Sequence, residues 1–138
     1  MAALLYMGIA MVPNRMKMNL FRLLGTMALP DGTAAYVMGG MTHAMMSVVF
    51  GLIHLGLYTA LDLESGLAAW GLLFGALHWM IVGMGLGMVP VMHRGIKSGR
   101  MEAPGLYALN YPKLTAMGFL MLHLVYGVLV GVFYTAFA

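Results

Sequence analysis

The chain has 138 residues, of which 62% are hydrophobic and 8% charged, against roughly 25% charged in an ordinary soluble domain. A chain so poor in charge cannot cover itself with a solvated surface, so its length divides more naturally into membrane spans of about 20 residues each. Its formal charge of +3, from seven Lys and Arg against four acids, is too small and too scattered for a nucleic-acid groove, and the absence of cysteine excludes disulfides, thiolate metal sites and iron–sulfur clusters.

The opening run MAALLYMGIAMV is apolar and stops at Pro13. At about 1.5 Å per residue it reaches about 18 Å, short of the roughly 30 Å of hydrocarbon, so residues 1–13 read as a partial or tilted span. A secretory leader carries its basic residues ahead of its apolar run. Here Arg15, Lys17 and Arg22 follow it, so cleavage is not expected. Over residues 14–29 a helical period puts Met16, Leu20, Leu23, Leu24 and Met27 on one face and Arg15, Asn19 and Arg22 on the other. That pattern predicts a helix lying in the membrane interface, and Pro30, Asp31 and Gly32 signal a turn after it.

Residues 35–61 contain no Asp, Glu, Lys or Arg and predict the first long span. Residues 66–92 are equally uncharged and predict the second, with Pro90 in the last turn as the chain leaves the bilayer. The third covers residues 114–137 and closes on Phe133, Tyr134 and Phe137, aromatic side chains suited to a membrane interface. The fold class expected is therefore an all-α membrane protein, residues 1–138 forming one domain. Three long transmembrane helices, the short N-terminal partial span and the interfacial helix pack as a bundle. Arg15, Lys17 and Arg22 precede the first long span, and Arg94, Lys97, Arg100 and Lys113 lie between the second and third. Asp62 and Glu64 occupy the intervening turn. The positive-inside rule then puts both basic segments in the cytoplasm and the C-terminus outside.

His43, His54, His78 and His123 fall inside the long spans, where an ionisable residue is costly and marks a candidate functional site. His43 and His54 are about three helical turns apart and share a face. Tyr36, Gly40, Ser47, Gly51 and Tyr58 lie near that face; His78 keeps company with Gly71, Gly75 and Gly85, and His123 with Gly127, Val130 and Tyr134. Small and polar residues gather on the sides of spans that meet other helices, so all four imidazoles are expected to point inward. By depth, His43 pairs with His123 and His54 with His78. Two facing pairs of neutral imidazoles suit axial ligation of a b-type haem or a chlorin, and the competing role is interhelical hydrogen bonding. His93, in HRGIKSGR, is expected at the cytoplasmic edge in contact with solvent or lipid headgroups.

Met80, Met84, Met88 and Met92 form one ridge and Met38, Met41 and Met45 another, both turned away from the histidines. They argue for adaptable packing surface and against a Cu(I) path, which needs thioethers converging with imidazoles. No metal site is assigned. Gly71 with Gly75, Gly83 with Gly87, and Gly127 with Gly131 are GxxxG pairs that permit close helix approach. Asp31, Asp62, Glu64 and Glu102 all fall at helix ends or loops, so no paired-carboxylate chemistry is indicated. Zinc-helix, nucleophile-elbow and phosphate-loop motifs do not occur, and no enzymatic activity is expected.

The stretches LLGTMALP, HAMMSVVFGLIHLGLY, WGLLFGALHWMIVGMGLGMVPVMH and HLVYGVLVGVFY resemble a family of small, functionally uncharacterised bacterial four-helix inner-membrane proteins. The likeness runs from Leu23 over most of the remaining chain. It implies about four helices, a multi-pass protein of the bacterial inner membrane, and recurrent histidines at His43, His78 and His123; it implies no activity. The leading expectation for function is a non-catalytic accessory or structural subunit in a hetero-complex or homo-oligomer within the lipid bilayer. The alternatives are a haem- or chlorin-binding electron-transfer or pigment protein and a small permease or metal channel.

Overall fold

The computed structural model describes residues 17–137; the partial span expected over residues 1–13, and Arg15 and Met16 of the expected interfacial helix, lie outside them. The described residues form helices and loops with no strand: α1 (Leu20–Gly25), α2 (Thr33–Ala60), α3 (Leu67–Met92), α4 (Arg94–Lys97), a 3-10 turn (Leu106–Ala108) and α5 (Lys113–Phe137). α2, α3 and α5 are long and apolar enough to cross a membrane, consistent with a small integral membrane protein.

α1 is shorter than the helix expected over residues 14–29. It begins after Asn19, whose Oδ1 accepts from the Arg22 backbone N–H at 2.9 Å and so satisfies one of the donors that a helix start leaves open. α1 folds back on the first turns of α2. Gly25 lies against the Ala35 carbonyl, and Gly39 against that of Phe21, so no side chain separates the two backbones. Arg22 closes the intervening turn by donating to Asp31 from Nε at 2.9 Å and Nη2 at 2.5 Å.

α3 and α5 cross through interleaved glycines. Gly71 faces the Gly127 carbonyl and Gly75 that of His123, while Gly127 and Gly131 face the carbonyls of Gly71 and Leu67. With no apolar solvent contrast between lipid and Leu, such close approach supplies the dispersion contacts that hold membrane helices together. The third expected pair, Gly83 and Gly87, takes a different partner. The loop before α5 folds back along α3, setting the Tyr107 ring on Gly83 and the Leu106 side chain on Gly87. Tyr107 adopts a left-handed φ of 53° and its ring meets Trp79 with centroids 4.6 Å apart. A small-residue groove specifies a narrow gap, and either a helix or a loop can fill it.

α2 rests on the α3–α5 pair more lightly, and Met41, Met45, Met80, Met84, Met88 and Met92 are all exposed on the outer surface. The start of α2, the end of α3 and the start of α5 lie at one end, with Arg22, Arg94, Lys97, Arg100 and Lys113; Asp62 and Glu64 lie at the other.

The expectation for His93 is corrected at the basic end, where the ring is fully buried instead of solvated. Its Nδ1 accepts from the Ile96 backbone N–H at 3.3 Å, capping α4. Nε2 must then carry the proton, which it shares between Thr26 Oγ1 at 3.0 Å and the Leu23 carbonyl at 3.2 Å. The Thr26 hydroxyl donates in turn to the Arg22 carbonyl at 2.6 Å. A break between α3 and α4 thus presents one imidazole to backbone groups on both sides, a fit that charge patterning around His93 does not reveal.

Candidate functional site

The intramembrane histidines lie on α2, α3 and α5, the three long helices, and three of them, His54, His78 and His123, form a connected series. Counting about 1.5 Å per residue, His54 lies about 9 Å from the acidic end of α2, and His78 and His123 lie near the middle of their helices. His43 lies about 15 Å from the basic end of α2 by the same measure. The rings of His54 and His78 meet edge to face with centroids 6.2 Å apart, and those of His78 and His123 at 4.7 Å. His43 is not in ring contact with His123. It is half-buried, lies within electrostatic reach of His123 and His78, and turns its ring toward Phe21 of α1 at 6.1 Å.

Aromatic side chains fix these rings. Phe50 stacks on His78 with centroids 3.6 Å apart and planes within 14°. Phe74 lies 5.9 Å from His54, and Phe119 lies 4.5 Å from His123. Tyr126 completes the cluster, 5.8 Å from His54 and 5.6 Å from His78, while its hydroxyl donates to the Ser47 carbonyl at 2.5 Å. Nothing in the glycine and histidine stripes singles out Tyr126. The available signal was its place three residues after His123, one turn along the same face.

Hydrogen bonding is uneven along the series. His123 Nδ1 lies 2.7 Å from the Phe119 carbonyl; because a carbonyl only accepts, Nδ1 carries the proton and Nε2 keeps its lone pair. In contrast, His54 Nδ1, His54 Nε2 and His78 Nδ1 are buried without a hydrogen-bond partner. The Phe74 carbonyl lies within hydrogen-bonding reach of His54 but does not meet the geometry of a well-formed bond. His54 is only 2% exposed, and an unpaired polar atom so placed costs about 1–3 kcal/mol. Simple interhelical glue would spend these nitrogens on carbonyls or hydroxyls of a neighbouring helix, and even the His123 Nδ1 bond stays within α5.

Among the described residues no group of three or more His, Cys, Asp or Glu side chains could hold a metal ion. Axial ligation of a tetrapyrrole needs imidazoles on opposite sides of a macrocycle. Here the His78 and His123 rings touch directly and Phe50 covers a face of His78, so a haem or chlorin would require those rings to separate. No family model, curated protein or solved structure matches this chain.

The cluster continues toward the acidic end through Tyr58, one turn beyond His54 on α2. Tyr58 is buried, its hydroxyl donates weakly to the Leu67 carbonyl at 3.4 Å, and it lies 5.5 Å from Tyr134. Both tyrosines line an open cavity of about 430 Å³ that also holds Asp62 and Glu64. A run of groups that each both give and take protons therefore extends from an acidic, solvent-facing cavity to the middle of the bundle.

Proposed function

We propose that this small integral membrane protein carries protons within the bilayer along the series His54, His78, His123, with Tyr58 at the acidic mouth and His43 toward the basic end. The observation that carries the reading is the placement of three unpartnered ring nitrogens on His54 and His78, in ring-to-ring series, inside the span bundle. A neutral imidazole has one N–H and one lone pair, so His54 and His78 can accept a proton at one nitrogen and release another from the second, while His123, whose Nδ1–H is held by the Phe119 carbonyl, takes up and passes on its proton at Nε2. A water needs two to four polar partners to be held in a protein interior, and one nitrogen of His54 with Nδ1 of His78 would supply the minimum of two. By the positive-inside rule the basic end faces the cytoplasm and the acidic cavity faces outward.

The test is proton flux into vesicles containing the purified full chain and a trapped pH-sensitive dye, driven by a potassium diffusion potential. Wild-type protein should exceed protein-free vesicles, and His54→Phe and His78→Phe should each remove the excess while Lys97→Gln retains it. Flux equal to that of empty vesicles, or flux indifferent to both histidine variants, refutes the relay.

A second reading, an accessory subunit of a larger membrane complex, is favoured by the exposed methionines on α2 and α3, because flexible thioethers make an adaptable contact surface. It is compatible with the relay. Extraction in mild detergent should then recover other membrane subunits with the chain, and recovery of only monomer or homo-oligomer counts against it.

A further inference from the structure

At the basic end, remote from the histidine series, α1 and the turn after it face the end of α3 and the loop beyond across a cavity of about 740 Å³. Three arginines line it, Arg22, Arg94 and Arg100, with the single carboxylate of Asp31. Arg22 and Asp31 satisfy one another. Arg94 and Arg100 are exposed, and neither side chain has an ion pair or hydrogen bond among the described residues. The cavity thus keeps two uncommitted guanidinium groups, the donor geometry best matched to phosphate oxygens.

The walls add an apolar component. Met27 and Met92 line the cavity and are exposed, and Met92 continues the outward methionine ridge through Met88 and Met84 along α3. The two sides are held at a fixed separation by the buried His93, whose Nε2 ties α1 to the α3–α4 junction through Leu23 and Thr26. A cationic cavity at the end of the spans, opening onto an apolar helix face, matches an anion that carries its own acyl chains. Soluble anions would use the arginines and leave the methionine wall unused.

We infer that this cavity binds the phosphate headgroup of an anionic phospholipid, with Arg94 and Arg100 on the phosphate and the acyl chains lying along Met92 and Met88. Basic pockets between spans on the cytoplasmic side are suited to such headgroups. The cavity falls within the usual range of roughly 300–1,000 Å³ for ligand sites.

The assignment is tested by native mass spectrometry and thermal unfolding of the full chain. The added probes are phosphatidylglycerol, phosphatidylcholine with the same acyl chains, or inorganic phosphate. Phosphatidylglycerol should be retained and should raise the unfolding temperature, while phosphatidylcholine should do neither. The double variant Arg94→Gln with Arg100→Gln should weaken retention by about tenfold or more, since it removes both guanidinium groups assigned to the phosphate. If that double variant fails to fold, the two single variants, each expected to lose affinity in part, carry the test. The variant Lys97→Gln with Lys113→Gln removes equal charge at the same end but outside the cavity and should retain the lipid. Equal loss in that control means diffuse surface attraction and overturns the site. Equal retention of phosphatidylcholine, or stabilisation by inorganic phosphate matching that by the lipid, overturns it as well.

Discussion

The Tyr126 hydroxyl of α5 donates to the Ser47 backbone carbonyl of α2 at 2.5 Å, a carbonyl that α-helical geometry already pairs with the N–H of Gly51. Gly51 makes the approach possible, since a Cβ there would stand 3.1 Å from the hydroxyl. With the weak Tyr58–Leu67 bond, the Tyr126–Ser47 bond is one of two hydrogen bonds between α2 and the α3–α5 pair among the described residues. Tyr126→Phe keeps the ring against His54 and His78 and deletes only the bond. The expected cost is about 0.6 kcal/mol, the average for hydrogen bonds between membrane helices, and at most about 1.7 kcal/mol. Thermal unfolding in detergent measures it, and an unchanged midpoint would show that the bond contributes nothing to holding α2.

The glycines divide by what their missing side chains would meet. A Cβ on Gly127 or Gly71 would collide with the backbone of the opposing helix, whereas one on Gly85 or Gly56 meets nothing within 4 Å. Gly127→Ala and Gly71→Ala should therefore force α3 and α5 apart and cost about 1–3 kcal/mol, the usual range for overpacking. Gly85→Ala and Gly56→Ala should be neutral or stabilise by about 0.5–1 kcal/mol through helix propensity. If all four variants behave alike, the α3–α5 crossing is not the one described.

The long helices were legible because charge-free length is a property of sequence alone: α2, α3 and α5 begin and end within about two residues of the expected spans, the usual uncertainty of helix ends. The histidines were legible as a set, since helical spacing fixes which residues share a face. Their contacts were legible only in part, His54 meeting His78 as depth suggests. Depth counting matches His43 to His123, but His78 takes that place because the Gly75–His123 and Gly71–Gly127 contacts set the register of α3 against α5. Register between helices depends on where small residues interlock, and no single helix's periodicity contains it. The buried His93 was missed for a related reason, since its partners on α1 lie far away in sequence.

Arg22 hydrogen-bonds the Asp31 carboxylate and holds it below the ordinary carboxylate range. A depressed folded-state pKa contributes stability above the unfolded value, about 3.9 for Asp, and loses it as pH falls through the folded value. Acid should therefore release the α1–α2 turn only below about pH 4, with no change between neutral pH and that point. Both groups are solvent-exposed and the stability involved is small, so the better readout is a fluorophore on the turn at residue 29. Asp31→Asn should abolish the acid transition, and a transition that persists in this variant belongs to another group.

The visible absorption spectrum bears on the histidine series directly. With the His78 and His123 rings in contact and Phe50 stacked on His78, a proton relay requires no chromophore, and the purified protein should show no Soret band in either redox state. A Soret band that disappears in His78→Ala or His123→Ala would mean that these rings part to admit a macrocycle, and the relay would have to be given up.

His93 offers the sharpest test of the basic end. Its ring accepts from Ile96 N–H on one side and donates toward Leu23 and Thr26 on the other, so His93→Ala strands the Leu23 carbonyl and opens a cavity at once, while Ile96 N–H keeps the His93 carbonyl at 3.2 Å. The stranded carbonyl alone costs about 1–3 kcal/mol and the cavity adds to it, which makes this variant more damaging than Tyr126→Phe. His93→Gln can reproduce the outward donation but cannot place a ring nitrogen at the start of α4, so it should recover only part of the loss. The arginine-lined cavity depends on the same tie. In His93→Ala the retention of phosphatidylglycerol should therefore fall together with stability, while Gly85→Ala lowers neither. A His93→Ala protein as stable as wild type would show that α1 is held to the α3–α4 junction by its apolar contacts alone.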